Sequence, residues 1–225
     1  MPLAKLTFAD FKTVAKWGTI AGAKVRAECG TGYEVVAGGS SSSDGSTIGT
    51  GSADDSGKAW VVQPESKAKG EAFATCVSIS TMGSLFQLVS AKPTGPYGTA
   101  SAKCGTGFML ITGYGRGPIK VSWFDPRSNT FSVRGGATSY ASCVKSDDGV
   151  TIKNAWNKSQ YPKSVYAGCG DGHKAIAGSM GDSGWPGPPV QSHPGNANPG
   201  AHGSNGWWTF SHKENELTWA ACVHT

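Results

Sequence analysis

One tetrapeptide has the residue types of a hydrolytic nucleophile, Gly181-Asp182-Ser183-Gly184. In chymotrypsin-like serine proteases, which have this motif, the catalytic histidine and then the catalytic aspartate lie well upstream of the serine. The first histidine in this sequence is His173, ten residues before Ser183, in a repeated segment where the other copies have an aromatic residue. We therefore interpret His173 as a packed ring and predict no catalytic residue. The chain is not expected to be an enzyme, with a carbohydrate-active enzyme as the weaker alternative.

Two other sets of side chains have the chemistry of metal ligands. His193, His202 and His212 follow one another at spacings of nine and ten residues, which match no standard zinc motif. Asp44 and the pair Asp54-Asp55 lie in a polar stretch but lack the regular ligand spacing of a calcium-binding loop. The sequence therefore predicts no metal site and no cofactor.

All six cysteines belong to two short signatures, and each signature occurs three times. The first reads Ala-x-Cys-Gly-x-Gly-ring-x-x-(Val/Ile)-x-Gly and occupies residues 27–38, 102–113 and 167–178. The second reads aromatic-Ala-x-Cys-Val, where x is a small residue, and occupies residues 73–77, 140–144 and 219–223. Such a repeat predicts three copies of one structural unit around a shared core, because a unit of this size is too small to be comfortably stable alone. We predict a single domain, 1–225, with copies at 1–80, 81–145 and 146–225.

The cysteines are predicted to form disulfides, because a zinc site would need Cys-x-x-Cys pairs that the sequence lacks. Six cysteines allow about 15 pairings, and the repeat favours one bond within each copy. The predicted bonds join Cys29 with Cys76, Cys104 with Cys143, and Cys169 with Cys222. Such a framework is typical of an oxidising compartment, so a secreted or extracellular-surface location is predicted. Charged residues interrupt the first ten positions, so we expect no secretory signal peptide there.

Composition and pattern both favour β-structure. The chain has 33 glycines, 38% apolar residues and 16% charged residues, which is typical of a loop-rich β protein with a real core. Aligning the copies places a leading strand at 11–14, 86–89 and 151–154, in preference to an N-terminal amphipathic helix. Four or five short strands per copy predict an all-β fold. We expect a threefold pseudo-symmetric β-prism of three four-stranded antiparallel sheets, with one disulfide per repeat.

The three copies, with their Cys-Gly-x-Gly and aromatic-Ala-x-Cys-Val signatures, resemble the vitelline membrane outer layer proteins. They are also similar to the C-terminal β-rich domain of apicomplexan perforin-like proteins. The resemblance covers the whole chain at the level of architecture, and it carries over no catalytic or binding residue. It implies an extracellular coat protein in the first case and a membrane-recognition module in the second.

The leading functional hypothesis is a non-enzymatic extracellular module that binds glycans or a cell surface. In a repeat scaffold the shared residues hold the fold, and divergent loops carry function. One alternative is a structural coat or filament component that self-assembles. Another is a membrane-lipid-binding module of a toxin or perforin-like protein. Nucleic acid is not an expected partner, because the net charge is only +5 and the basic residues do not cluster.

The predicted ligand-binding site is the insert of the third copy, residues 181–206, which is rich in Pro, Gly, Asn and His. Trp60, Trp208 and Trp219 align with aromatic residues of other copies and are predicted to be core. Tryptophans outside that pattern are candidates for exposed rings, which suit sugar stacking or contact with a membrane interface. The predicted site residues are Trp185, His193, His202 and Trp207, with Arg116, Trp123 and Arg127 of the second copy as a weaker second site.

Overall fold

The structure is a computed structural model, and it describes residues 5–43, 48–64, 68–117, 119, 121–146, 149–157, 163–181, 191–195, 205–211 and 216–225. The described part is all-β, with almost no helix. The strands fall into three sets of six, one set for each copy of the repeat. The leading segment of each copy is a strand, so that prediction is confirmed.

The first copy begins after a 3-10 turn at Phe8–Asp10. Its strands are β1 (Phe11–Trp17), β2 (Val25–Glu28), β3 (Tyr33–Ser42), β4 (Ile48–Ala53), β5 (Ala59–Pro64) and β6 (Gly70–Ser78). The short helix α1 (Ile79–Leu85) then leads to the second copy.

The other two copies repeat this order of strands. The second copy contains β7 (Phe86–Ala91), β8 (Thr99–Lys103), β9 (Phe108–Arg116), β10 (Val121–Asp125), β11 (Thr130–Arg134) and β12 (Thr138–Lys145). The third copy contains β13 (Thr151–Asn157), β14 (Lys163–Gly168), β15 (His173–Gly181), β16 (Gln191–Gly195), β17 (Gly206–Ser211) and β18 (Glu216–His224).

The six strands of each copy form two three-stranded antiparallel sheets, so the prediction of one four-stranded sheet per copy is wrong. The inner sheets have the orders β1-β6-β3, β7-β12-β9 and β13-β18-β15. The outer sheets have the orders β2-β5-β4, β8-β11-β10 and β14-β17-β16. The sequence did not predict β4, β10 and β16, which lie in the segments where the copies diverge. Each of them completes an outer sheet, and β16 lies inside the insert that was predicted to be a loop.

The disulfides connect the two sheets of each copy, and the predicted pairing is confirmed. Cys29 follows outer strand β2 and is bonded to Cys76 in inner strand β6. The second and third copies repeat this bond between Cys104 and Cys143 and between Cys169 and Cys222. A small core fills the space between the sheets around each bond. Three such bonds are typical of an oxidising environment, such as the outside of a cell.

A central core draws equivalent residues from all three inner sheets. Val36, Ile111 and Ile176, which occupy the same position of the first signature, all lie in it. Each is the extra residue of a β-bulge in its strand pair. Because a bulge shifts the alternation of side chains, two consecutive residues can face the central core. In the first copy these are Val36 and Ala37, while Val35 faces the outer sheet.

The last glycine of the first signature gives an aromatic ring room to pack on the inner sheet. A Cβ added at Gly38 would lie 2.0 Å from the ring of Trp60, and one at Gly178 would lie 2.1 Å from the ring of Trp207. Gly113 has the same relation to Phe131 in the second copy. Any side chain at this position would therefore displace the ring beneath the outer sheet.

Contacts between consecutive copies connect all three into a ring. The first junction places β9 of the second copy beside β4 of the first. At the second junction, β15 of the third copy pairs with β10 of the second through Gly181 and Phe124. At the third, β3 pairs with β16 through Ser40 and Ser192. No helix in the described residues is long and apolar enough to cross a membrane.

Candidate ligand-binding groove

The predicted site in the third-copy insert lies partly outside the described residues. Trp185 and His202 lie outside the described residues. His193 lies in β16, where its backbone pairs with that of Trp208. Trp207 is fully buried, so its prediction as an exposed ligand-binding ring is wrong. The error has a structural cause, because Trp207, and not Trp208, occupies the place that Trp60 has in the first copy.

Arg116, predicted to bind a ligand, is instead held inside the first junction. Its Nε lies 3.1 Å and its Nη2 2.6 Å from the carbonyl oxygen of Ala53. The same guanidinium donates to the carbonyl oxygen of Asp54 and to the carboxylate of Asp55. Arg116 therefore links the end of β9 to the turn that follows β4.

The guanidinium of Arg116 also covers an aromatic stack. Its carbon atom lies 5.1 Å from the ring centre of Tyr140. Tyr140 in turn stacks on Tyr114, with ring centres 4.9 Å apart, and Tyr114 meets the ring of Trp60 edge to face. Burial is the main reason why the pKa of Tyr114 is raised far above its usual value. The first junction is thus filled by rings and covered by a cation.

The second junction has different residues at the same two positions. Twelve residues after the first cysteine of its copy, Arg116 corresponds to Gly181. Three residues before the second cysteine, Tyr140 corresponds to Trp219. Both pairs of residues also keep the same register, since Arg116 faces Thr138 while Gly181 faces Leu217 on the neighbouring strand. Glycine supplies no side chain to cover the ring of Trp219.

A groove of about 580 Å³ lies at this second junction. Its walls come from the second copy, through β10 and the turn after it, and from the third copy, through β13 and β18. The groove contains the predicted residues Trp123 and Arg127, which the structure therefore brings together. The lining residues are Trp123, Phe124, Asp125, Pro126, Arg127, Asn154, Leu217 and Trp219.

Trp219 connects the groove to the packing of the molecule. Its strand, β18, runs between β13 and β15, and Trp219 pairs with Asn154 on one side and Ser179 on the other. Its half-buried ring lies 5.9 Å from the ring of Phe124, a buried residue of the second copy. Trp123 is the neighbour of Phe124 in β10, and its own ring is half-buried. Two indole rings from different copies therefore line one groove.

Asp125 fixes the turn that carries Arg127. Its carboxylate accepts a hydrogen bond from the Ser128 hydroxyl at 2.6 Å and from the backbone N–H groups of Arg127 at 3.0 Å and Ser128 at 3.3 Å. Asn129 completes the turn with a positive φ of 56°. The hydrogen bond from the Ser128 hydroxyl is the main cause of the lowered pKa of Asp125. The groove therefore contains a carboxylate that is ionised at neutral pH, beside an exposed guanidinium.

Sequence reasoning missed six of the eight lining residues: Phe124, Asp125, Pro126, Asn154, Leu217 and Trp219. Trp219 was predicted to be core because it aligns with Phe73 and Tyr140, and alignment alone does not show which ring is covered. The informative signal was the glycine at 181, where the second copy has an arginine.

Comparisons with known proteins provide no family for this chain. A scan against protein-family models and a search of curated proteins both found no match.

Proposed function

We propose that the protein is a non-enzymatic extracellular binding module that recognises glycans through the groove at the second junction. The observation that carries this proposal is the pair of rings, Trp123 and Trp219, that line one groove with the polar side chains of Asp125, Arg127 and Asn154. Indole rings are large, rigid surfaces that lose little conformational entropy on binding.

The chemistry of the groove suits a sugar. The C–H face of a pyranose ring packs against an aromatic ring, while its hydroxyls need donors and acceptors around their edge. Asp125 supplies an acceptor, Arg127 supplies donors, and Asn154 supplies both. Aromatic rings beside a few well-placed polar groups are common in small-molecule sites.

Binding fits these residues better than hydrolysis does. Cleavage of a glycosidic bond ordinarily uses two carboxyl groups on either side of the bond. Among the described residues that line the groove, Asp125 is the one carboxylate. Its low pKa makes it a poor proton donor at neutral pH, since a general acid needs a raised pKa.

We propose in addition that the ring of three copies is a threefold pseudo-symmetric β-prism. The shared central core and the equivalent junctions support this architecture. It also agrees with the resemblance to vitelline membrane outer layer proteins and to the β-rich domain of perforin-like proteins. In such a ring the three junctions are equivalent places, and differences in sequence make one of them a binding site.

A glycan array tests the proposed function directly. We expect the folded parent protein to bind a restricted set of saccharides, and Trp123→Ala to weaken that binding by about tenfold or more, because a ring contact contributes about 1–3 kcal/mol. Gly181→Arg places the second copy's arginine over Trp219 and should abolish binding. The arginine should leave the fold intact, since Arg116 occupies the equivalent position.

Two results would reject this function. The first is a folded parent that binds no saccharide, and the second is Gly181→Arg binding sugars as the parent does. A parallel assay with vesicles of neutral and anionic lipid checks the membrane alternative. Binding to vesicles that no saccharide competes would favour a lipid-recognition module instead.

A second candidate function, a self-assembling coat or filament component, is favoured by strand β7. Each inner sheet has its leading strand at an edge, and edge strands of natural proteins commonly carry lysine to prevent association. Strand β1 carries Lys12 and Lys16, and β13 carries Lys153, whereas β7 carries no charge. In the described part of the chain, β7 pairs only with β12. Leu88 on β7 is 45% exposed.

We infer that β7 of one molecule pairs with β7 of a second copy. Leu88 is exposed on the edge strand β7 and pairs with Ser142, as Thr13 of β1 pairs with Thr75, so Leu88→Lys places a charge at an exposed edge position. Sedimentation should show the parent associating at high concentration and Leu88→Lys remaining monomeric. Thr13→Lys, the equivalent change on β1, is the control and should not alter the parent's association. A monomeric parent, or association unaffected by Leu88→Lys, would exclude pairing through β7.

A further inference from the structure

A pair of histidines lies outside the groove, on the inner sheet of the third copy. His173 begins β15 and His224 ends β18, and the two residues are direct partners across the strands. Their ring centres are 5.3 Å apart, and the ring planes are inclined at 78°. The function proposed above uses neither residue.

The protons on both rings are fixed by backbone oxygens. Nδ1 of His173 lies 2.9 Å from the main-chain oxygen of Asp171, and Nδ1 of His224 lies 2.9 Å from that of Thr225. A carbonyl oxygen only accepts hydrogen bonds, so each Nδ1 carries a proton and donates it. In the neutral ring the lone pair is then on Nε2. This is the arrangement of metal-binding histidines, whose second nitrogen commonly donates to a carbonyl or carboxylate oxygen.

The separation of the rings also fits one metal ion. Zinc binds imidazole nitrogen at about 2.0–2.1 Å, so two imidazoles on one tetrahedral ion have ring centres about 5 Å apart. The observed 5.3 Å is close to that value. Beside the pair is a depression of about 500 Å³ lined by His173, Asp171, Lys174 and Asn205, among others. The depression leaves room for water beside His173.

The pair is specific to the third copy. In the first copy the equivalent partners are Tyr33 and Ser78, and in the second they are Phe108 and Lys145. Neither of those pairs contains an imidazole, the side chain that most commonly binds such a metal. Tyr33 and Phe108 show that a ring can pack at the position of His173 without being a histidine. Ser78 and Lys145 show that the fold does not require a ring at the position of His224.

We propose that His173 and His224 together bind one divalent transition metal ion of the zinc class through their Nε2 atoms. The described residues contain no group of three or more His, Cys, Asp or Glu side chains placed to hold a metal. The protein thus supplies two ligands here and water supplies the others. An ion bound in this way would bridge the start of β15 and the end of β18.

Calorimetric titration of chelator-treated protein with zinc chloride and with nickel chloride tests the site. We expect the parent to bind either ion, and His173→Phe or His224→Ser to weaken binding by about tenfold or more, because each removes one of two ligands. Both substitutions insert a residue that stands at the equivalent position of another copy, so the fold should persist. Melting temperature in chelator checks that it does. His193→Ala is the matched control and should leave the affinity unchanged.

Nitrogen NMR of the imidazoles identifies the ligand atoms. On addition of zinc, we expect the Nε2 resonances of His173 and His224 to shift and both Nδ1 atoms to stay protonated. The proposal is overturned if the parent binds neither ion at millimolar concentration. It is also overturned if His173→Phe and His224→Ser bind as the parent does, or if only other histidines shift.

Discussion

The first and second junctions occupy equivalent places between consecutive copies, yet one is closed and the other is open. At the first, Arg116 lies over Tyr140 and binds the carbonyl oxygens of Ala53 and Asp54. At the second, Gly181 stands in place of the arginine, and Trp219 lines a groove. The same pair of strand positions therefore serves as an interface in one place and as a candidate binding site in the other.

The difference shows how a repeat scaffold can acquire a site without changing its fold. The inner sheets, the bulges and the disulfides are the same on both sides of each junction. Gly181 in the place of Arg116 leaves the ring next to it without a covering side chain. Trp219 in the place of Tyr140 makes that ring larger.

The two glycines of β15 have different roles. Gly178 packs beneath the ring of Trp207 in the scaffold, whereas Gly181 lies at the second junction beside the groove. We expect Gly178→Val to destabilise the protein by about 3 kcal/mol or more, because overpacking of a filled core is costly. A Cβ at Gly178 would lie 2.1 Å from the ring of Trp207, which is fully buried. Urea unfolding followed by tryptophan fluorescence measures the loss.

Three residues further along the same strand, a side chain should be accepted. Gly181→Ser inserts the residue that the first copy has at the equivalent position, Ser41, and should change the free energy of unfolding by less than about 1 kcal/mol. If both substitutions destabilise the protein equally, Gly181 is part of the scaffold and the contrast between the junctions fails.

Removing the cover of the first junction should have the next largest effect. Arg116→Gly, which copies the second junction, deletes hydrogen bonds to Ala53, Asp54 and Asp55. Because hydrogen bonds of a charged group contribute about 1.5–3 kcal/mol, we expect a loss of about 2–3 kcal/mol in chemical unfolding. The exposed Arg127, whose side chain lines the groove, provides the control. Arg127→Gly should cost less than about 0.5 kcal/mol, and equal losses in the two variants would contradict the assignment of Arg116 to the interface.

Much of the scaffold was predictable because the repeat constrains it. The two cysteine signatures favoured the observed disulfide pairing, since one bond within each copy treats the three copies alike. The leading strands followed from aligning Phe11 with Phe86, which meet edge to face in the central core at 5.8 Å. Where the three copies have the same residue type at a position, as at Gly38, Gly113 and Gly178, that residue makes an equivalent packing contact in each copy.

The divergent segments were not predictable in the same way. The strands β4, β10 and β16 have no shared pattern, and their pairing depends on the outer sheet that receives them. The sequence does not show whether Trp207 or Trp208 is the equivalent of Trp60, because the two residues are adjacent and both are aromatic. The contact between Trp207 and Gly178 in the structure identifies Trp207. The groove was not predictable for a further reason: it forms between copies, from residues as far apart in the sequence as Trp123 and Trp219, which are separated by 96 positions.

The smallest expected effect concerns the acidic residues in the turns at the two junctions. Asp54 follows β4 at the first junction, and Asp125 ends β10 at the second. Burial is the largest single influence on the pKa of Asp54 and acts to raise it, but hydrogen bonds from Arg26, Ser56 and the backbone lower it overall. For Asp125 the hydrogen bond from Ser128 is the largest influence and lowers the pKa. The pKa of Asp125 in the groove therefore depends more on a single hydroxyl group than the pKa of Asp54 does.

Ser128→Ala should raise the pKa of Asp125 and reduce the stability at neutral pH by about 0.5–1 kcal/mol, the contribution of one hydrogen bond. A carboxyl group whose pKa is lowered by folding contributes its full stabilisation above the ordinary aspartate pKa, near 3.9, and loses it as the pH falls through the folded value. The difference between parent and variant should thus be greatest at pH 7 and decrease as the pH falls through the folded pKa of Asp125. Ser56→Ala is the matched control, because Arg26 still donates to Asp54 at 2.7 Å and should keep its pKa low. Carboxyl-carbon NMR titration of both variants measures the two pKa values, and a larger rise for Asp54 than for Asp125 would contradict this account of the two turns.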